Sequence, residues 1–515
     1  MDKKRVYSSF FHLHTICGII ISAVLFVLFY CGAVTMFKDE IVMWEKGYTT
    51  SIERSDIDFD RIMSQLDSAY NLTGRNVLYY LDSKTNILRV YVDHSHVENA
   101  SQEDLETHVL YVDLNDYSTH TYEDNYTYSE FMYRLHFLSQ IPTIGIYISG
   151  IVSVMFLLAL ITGIYIHWDK IIKNFFLFRP KSKWKAIWTD AHTVLGTIGL
   201  PFQFIYALTG SLFCLLFLVL LPAYTLYDND YEKLMQDLRP LESHAPWQSV
   251  VSERVSSINE FVNINVKKWP EAEVYELAVE NINGSNMEYQ LNFKLPYEVG
   301  FTGEGSISTD AYTLEVINEL NPYESTYVND VLALLYQLHF GRFGGYFIKF
   351  IYVALALLTC FVIISGVMVW LTARKKKTVP LARQKFNFKV ANIYLAICLS
   401  LIPMSALGFI LAKVLPVDYS GSRKQYFYIT FFGSWLILSI YFMLKKNLAY
   451  TNKASLFLGG ILFITVPIVN GVISNHWLWN SLLIGAKDIF MVDVFCLFMG
   501  MMALYAYYLI KKKAA

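Results

Sequence analysis

The chain has 515 residues, of which 54% are hydrophobic and 16% aromatic, and its formal net charge is −2. A mean hydropathy of +0.35 fits a membrane protein, and the absence of any basic domain argues against nucleic acid as a partner. The six cysteines, Cys17, Cys31, Cys214, Cys360, Cys398 and Cys496, all sit in apolar stretches without a CxxC pair, so a zinc or iron–sulfur cluster has no support.

Read in order, the chain shows eight stretches long and apolar enough to cross a bilayer as helices: roughly 10–37, 140–167, 192–221, 344–371, 390–415, 427–444, 455–474 and 485–510. Basic residues mark one set of connections. They are MDKKR at the start, then Lys170, Lys173, Arg179, Lys181, Lys183 and Lys185, then the stretch from Ala373, Lys445–Lys446 and finally Lys511–Lys513. The positive-inside rule puts these in the cytoplasm, with both termini, and the two long connections outside. The expected fold is mainly α: a polytopic helical membrane protein with about eight transmembrane helices and two small α+β extracytoplasmic domains. The boundaries read as a first transmembrane helix over 1–37, an outer domain over 38–138, helices two and three over 139–221 and a second outer domain over 222–340. Helix four follows over 341–372, then a basic loop over 373–389 and a four-helix module over 390–515. The first span lacks a small-residue cleavage motif and is expected to be retained.

Both outer segments are acidic, with 19 Asp/Glu against 8 Lys/Arg in the first and 19 against 6 in the second. In the first, FDRIMSQLDSAYNL has helical periodicity, with Phe59, Ile62, Met63, Leu66 and Tyr70 on one face; NVLYYLD, ILRVYVD and HVLYVDLN alternate as strands. The second repeats the order, with WQSVVSERVSSINEFV as the helix and VYELAVEN, MEYQLNFKL and AYTLEVI as strands. His94, His96, His108 and His120 read as surface residues; the His94/His96 pair can bind a metal but lacks a third ligand.

The chain repeats itself. His136 to Gly163 and His339 to Gly366 are both intervals of 27 residues, and each opens an apolar span that ends in Trp168 or Trp370. His14 is followed by Gly18 and Gly32 at intervals of 4 and 18, and His192 by Gly196 and Gly210 at the same intervals. Residues 1–372 therefore read as a duplicated two-helix unit with one histidine near the start of each helix. His14 and His192 fall at the cytoplasmic face, and His136 and His339 at the outer face. His12 lies two residues from His14, on the other side of a helix, and its repeat partner is Asp190, so the repeat excludes it.

Ionisable residues inside a bilayer are costly and are functional candidates by default. Two imidazoles from facing helices can take the two axial positions of a haem iron. The repeat assigns His14 and His192 to one haem b and His136 and His339 to a second, with the six repeat glycines letting a flat porphyrin approach. Arg134 and Arg342 stand near the outer histidines and can pair with propionates. His167 is the rival ligand at the inner face. The levels fit imperfectly on continuous helices: about 27 Å of rise from His14 to Gly32, against about 40 Å from His136 to Gly163.

The LHFGRFGG stretch, the HTxxG helix starts and the helix-then-strands outer segments resemble the PepSY-associated transmembrane family, over about residues 8–372. The family includes bacterial inner-membrane di-haem reductases of ferric siderophores. The resemblance implies a reductase of the inner membrane that passes electrons to an outer-facing ferric siderophore or other iron chelate. It carries haem ligation to His14, His192, His136 and His339 only. No GxGxxG follows a strand on the cytoplasmic side, so the electron donor is expected to be quinol or a separate cytoplasmic reductase.

The last four spans contain one histidine, His476, and two prolines, Pro403 and Pro467, expected to kink or break their helices; Asp493 lies within the last span, as a candidate for a proton or quinone path or a residue in a wet outer vestibule. The competing reading of the whole chain is a haem-free accessory or transport protein whose outer domains bind a peptide, lipid or protein.

Overall fold

The computed structural model describes residues 3–81, 85–168, 179, 182, 184–230, 233–234, 246–324, 326–415 and 421–514. Lys170, Lys173, Lys181 and Lys183 of the basic loop lie outside them. The chain divides into two compact units, one comprising Met1–Thr49, Tyr126–Val219 and Gly344–Ala515, the other Thr50–Asn125 and Leu220–Phe343.

The first unit is helical and polytopic. Among the described residues, seven helices are long and apolar enough to cross a membrane, and an eighth if the bent pair Lys185–Ile198 and Leu200–Cys214 counts as one span. That pair turns through 69° where Gly199 precedes Leu200 and Pro201. Proline lacks an N–H and its ring crowds the preceding turn, so the helix breaks there. Its repeat counterpart, Lys3–Thr35, has no proline and runs unbroken. The four spans of the repeat close a ring. Helix 3–35 packs on 144–167 and on 345–374; 144–167 packs on 200–214; 184–198 packs on 345–374. The first and third spans thus face one another across a four-helix bundle, the arrangement in which cofactors are held by side chains on facing helices. Phe29, Phe156, Phe202, Tyr206 and Tyr352 pack against one another and fill part of this bundle.

In the C-terminal module, helix Leu381–Val414 packs on Leu448–Ser474, which packs on Lys487–Ala514. Pro403 and Pro467 lie inside their helices and end neither, so of the expected kink or break the break does not occur. Two short amphipathic helices, Lys38–Lys46 and Tyr128–His136, also belong to the helical unit. The sheet unit is therefore narrower than the hydropathy limits of 38–138: hydropathy marks where apolar spans end, and these flanks fold back onto the spans.

The second unit is one antiparallel sheet with helices. Its strands are β1 Val77–Tyr80, β2 Ile87–Val92, β3 His108–Asp113, β4 Thr119–Thr121, β5 Glu273–Glu280, β6 Glu288–Lys294, β7 Glu304–Asp310 and β8 Val316–Leu320. They run in the order β4-β3-β2-β1-β5-β6-β7-β8. The two acidic segments thus share a single sheet, joined where β1 pairs β5 with Val77 opposite Val279 and Tyr79 opposite Leu277. Helices Phe59–Ala69 and Ile258–Asn265 contribute Phe59, Ile62, Leu66, Ile258, Phe261 and Val262 to its core. They also cap each other. Asp58 accepts from the Arg61 N–H of its own helix and from the Asn259 amide, which hold its carboxyl below the usual range, the Asn259 bond most strongly. Asp60 accepts the Ile258 N–H at 2.8 Å, and Asn259 Oδ1 accepts the Phe59 N–H at 2.8 Å.

Two expectations for the second segment fail. Residues 247–256 are not helical: Val250 bridges Gly284, Val251 N–H donates to Asn283 and Ser256 N–H to Ala311, and the helix starts only after Ser257, whose hydroxyl caps it. AYTLEVI is mainly the turn between β7 and β8, entered after Asp310, whose carboxylate accepts from the Tyr312 and Thr313 N–H groups. The strand before it, EGSISTD, lacks the large apolar residues that mark a strand by composition.

Candidate functional site

His14 and His192 come together inside the ring of spans, with ring centroids 6.1 Å apart and planes at 70°. Each imidazole is held by the helix next to its own. His14 Nδ1 lies 2.8 Å from Ala159 O, and His192 Nδ1 lies 2.9 Å from Val362 O. A carbonyl can only accept, so both Nδ1 atoms carry the proton, and in the neutral rings both Nε2 atoms present a lone pair. No described residue bonds to either Nε2. The Thr162 and Ser365 hydroxyls reach the same Nδ1 atoms at 3.5 and 3.3 Å, so the two surroundings match residue for residue.

Glycine makes this geometry possible. Ala159 and Val362 each lie four residues before a repeat glycine, Gly163 and Gly366. In a helix such a carbonyl already accepts from the glycine N–H, and an outside imidazole reaches its second lone pair only if no side chain covers it. A Cβ on Gly163 would stand 3.2 Å from His14 Cε1, and one on Gly366 3.0 Å from His192 Cε1. His136 repeats the device, with Nδ1 2.7 Å from Leu28 O, four residues before Gly32, whose Cβ would meet His136 Cε1 at 2.8 Å. Burial lowers the His136 pKa, against the smaller opposing effect of the Leu28 carbonyl, and favours the neutral form that ligates metals.

Each of these histidines therefore packs on a glycine of a different helix, not on one of its own. This removes the mismatch in level. His136 ends helix Tyr128–His136, and the next span starts at Ile144, after a turn containing Pro142. The rise from Ile144 to Gly163 is about 28 Å, close to the about 27 Å from His14 to Gly32. A Cβ on Gly210 would instead meet the Ser153 hydroxyl at 2.8 Å, so this glycine serves helix packing.

An iron held about 2 Å from each Nε2 would set the two ring centroids about 6 Å apart, which is the separation of His14 and His192. One helical turn beyond each histidine the helix surface is clear of protein: a Cβ on Gly18 would meet nothing within 4 Å, and one on Gly196 only Val362 Cγ1, at 3.8 Å. Replacing Gly366 by valine should push the His192 ring off Val362 O, cutting haem content or shifting the Soret band in purified protein. An unchanged spectrum would show that the ring position does not depend on this glycine.

The other predicted residues are placed as follows. His12 is exposed, its ring edge-on to Phe11. His167 ends helix Ile144–His167, within electrostatic reach of both His14 and His192. His339 lies near the C-terminus of helix Tyr327–Phe340, in the sheet unit, and only the repeat pairs it with His136. Arg134 is engaged by Glu130, Nε to Oε1 at 2.7 Å, and Glu130 also pairs with Lys38 at 3.2 Å. Burial would raise the Glu130 carboxyl, but these two cations outweigh it and hold it low. Arg342 lies over the Phe340 ring at 5.2 Å.

The sequence reading missed a buried polar system on the helical unit. Glu45 pairs with Arg423 at 2.6 Å, with side chains 1% and 4% exposed. Glu40 pairs with Lys349, and burial, the largest influence, raises its carboxyl despite that partner. Asp493 is fully buried, which rules out a wet vestibule around it; it accepts from Trp44 Nε1 at 2.9 Å and Asn470 Nδ2 at 3.0 Å. Lys413 donates to Trp44 O at 2.6 Å. Asp493 is singled out by its place in the last span; for its partners the signal was the density of charge in KDEIVMWEK, directly after the first span.

Residues 11–373 match the family model described as the PepSY-associated TM region, and the chain belongs to that family. No curated protein matches the chain.

Proposed function

We propose that this member of the PepSY-associated transmembrane family is a haem b protein of the bacterial inner membrane that passes electrons outward to a ferric chelate, such as a ferric siderophore. The observation that supports this reading most is the pair His14 and His192, both with Nδ1 on a helix carbonyl and with ring centroids 6.1 Å apart. His136 and His339 are the ligands that the repeat assigns to a second haem. When bound, the group supplies one-electron transfer, and the protein contributes binding and orientation. The carbonyl bonds fix the tautomer and raise the basicity of each ligand. Quinol or a separate cytoplasmic reductase is the donor, and Fe(III) in the chelate takes one electron to become Fe(II).

Direction across the membrane follows from loop charge. Reporter fusions at Asn71 and Glu280 should behave as periplasmic, and a fusion after Lys513 as cytoplasmic; the reverse pattern would overturn the outward path. For the reaction, protein reduced with stoichiometric dithionite should be reoxidised by a ferric hydroxamate chelate, with Fe(II) trapped in proportion to haem oxidised. The gallium chelate, which cannot be reduced in this way, should leave the haem reduced. Failure of the ferric chelate to reoxidise the haem would overturn the assignment of the acceptor.

A further inference from the structure

We infer that Asp93, His94 and His96, at the end of β2, form a binding site for one divalent transition-metal ion of the zinc and cobalt class. Sequence spacing offered two histidines and no third ligand; the third is the residue just before them. His94 Nδ1 lies 2.9 Å from Asp93 Oδ1, and His96 Nε2 lies 3.6 Å from Asp93 Oδ2. The two imidazole rings are 4.5 Å apart, and one ligand atom from each of the three residues falls within 4.8 Å of the others. Ligand atoms about 2 Å from a tetrahedral ion stand about 3.3 Å apart, so small side-chain rotations bring all three onto one centre. Two imidazoles and a carboxylate suit ions of borderline softness, and the half-exposed His94 leaves water room to complete the coordination.

The backbone is fixed before any ion binds. Asp93 N–H donates to Asn76 O, His96 N–H to Gly74 O and Ser95 N–H to Asp104 O, at 2.8–2.9 Å. The Ser95 hydroxyl donates to Thr73 O at 2.7 Å. Gly74 has φ +72°, and a Cβ there would stand 2.5 Å from Val97 Cγ2, so only glycine lets the segment lie this close. Arg75, 1% exposed, donates to the Asp93, Glu103 and Glu106 carbonyls and ties the segment to its neighbour; Asp104, 3.6 Å away, offsets its charge. Asp93 is itself oriented, accepting from the His94 N–H at 2.8 Å and the Tyr91 hydroxyl at 3.3 Å. Preformed ligands lose little freedom on binding, which favours a real site over a chance cluster.

The test uses the full-length protein, washed with chelator, and Zn2+ or Co2+ alone. Calorimetry should find a Zn2+ ion whose affinity falls at least about tenfold in H94A, H96A and D93N, since even losing an outer-shell partner typically costs that much. H120A should bind as the parent does. Co2+ should give the visible bands of a low-coordinate site, lost in H94A. Zn2+ should also protect His94 and His96 of the unaltered protein from carbethoxylation, a readout that needs no variant. Ions held at His14 and His192 would be untouched by these substitutions. Equal binding by the parent and the H94A/H96A double variant, or no protection by Zn2+, would overturn the site.

Discussion

Replacing His192 by alanine should remove one haem equivalent from the purified protein and stop electron supply toward the outer face. The same result is expected for His14→Ala, because the proposed site places one iron between both imidazoles and neither would hold it alone at the same strength. His12→Ala should do little, since that ring points out of the bundle. His136→Ala and His339→Ala should instead remove or perturb the other haem and leave the inner one reducible. His167→Ala is the decisive control, because His167 lies within electrostatic reach of His192. Haem loss in His167→Ala with retention in His192→Ala would replace the symmetric pair by an asymmetric one. Haem content is read by pyridine haemochrome, and each variant is first checked for folding by its elution profile.

Replacing Arg423 by methionine should destabilise the helical unit by about 3–5 kcal/mol, because it leaves the Glu45 carboxylate buried without its counter-charge. Glu45 also accepts the Tyr128 N–H at 2.8 Å, and Arg423 Nε donates to Tyr126 O at 3.2 Å, so the pair fastens the start of helix Tyr128–His136 to the C-terminal module. That helix carries His136. The variant should therefore lower the melting temperature and loosen the His136 surroundings together. Adding Glu45→Gln should restore much of the loss, since glutamine keeps an acceptor for Tyr128 N–H and removes the stranded charge. If Arg423→Met melts like the parent, the pair contributes no stability and the link to His136 fails.

The spans and the meeting of His14 with His192 were legible in the sequence because each has a local or repeated signature. Apolar length marks a span, and an interval duplicated within one chain marks equivalent positions. The first-segment strands were legible because large apolar residues alternate in VLYY, ILRVYV and HVLYVD. The joining of both segments into one sheet was not, since the β1–β5 pairing is a long-range register that no periodicity encodes. EGSISTD escaped for lack of bulky residues, and WQSVVSERVS imitated a helix because its apolar spacing is compatible with one while its N–H groups bond across to Asn283 and Ala311. The role of the glycines was half legible. Their intervals were visible, but the neighbour that each one receives depends on which helices pack, and the break after His136 was hidden by reading one long span. Asp93 went unnoticed because an aspartate at a strand end reads as a turn residue until the imidazoles are seen around it.

The central claim is that His14 and His192 hold haem, and the redox difference spectrum of the protein purified from haem-replete cells tests it most directly. The account predicts a Soret band that sharpens and shifts on dithionite reduction, b-type haemochrome bands and two haems per chain, falling to one in His192→Ala. A chain that elutes folded, from haem-replete cells, with no Soret band would contradict it and leave the acidic sheet unit as a platform for a peptide, lipid or protein partner.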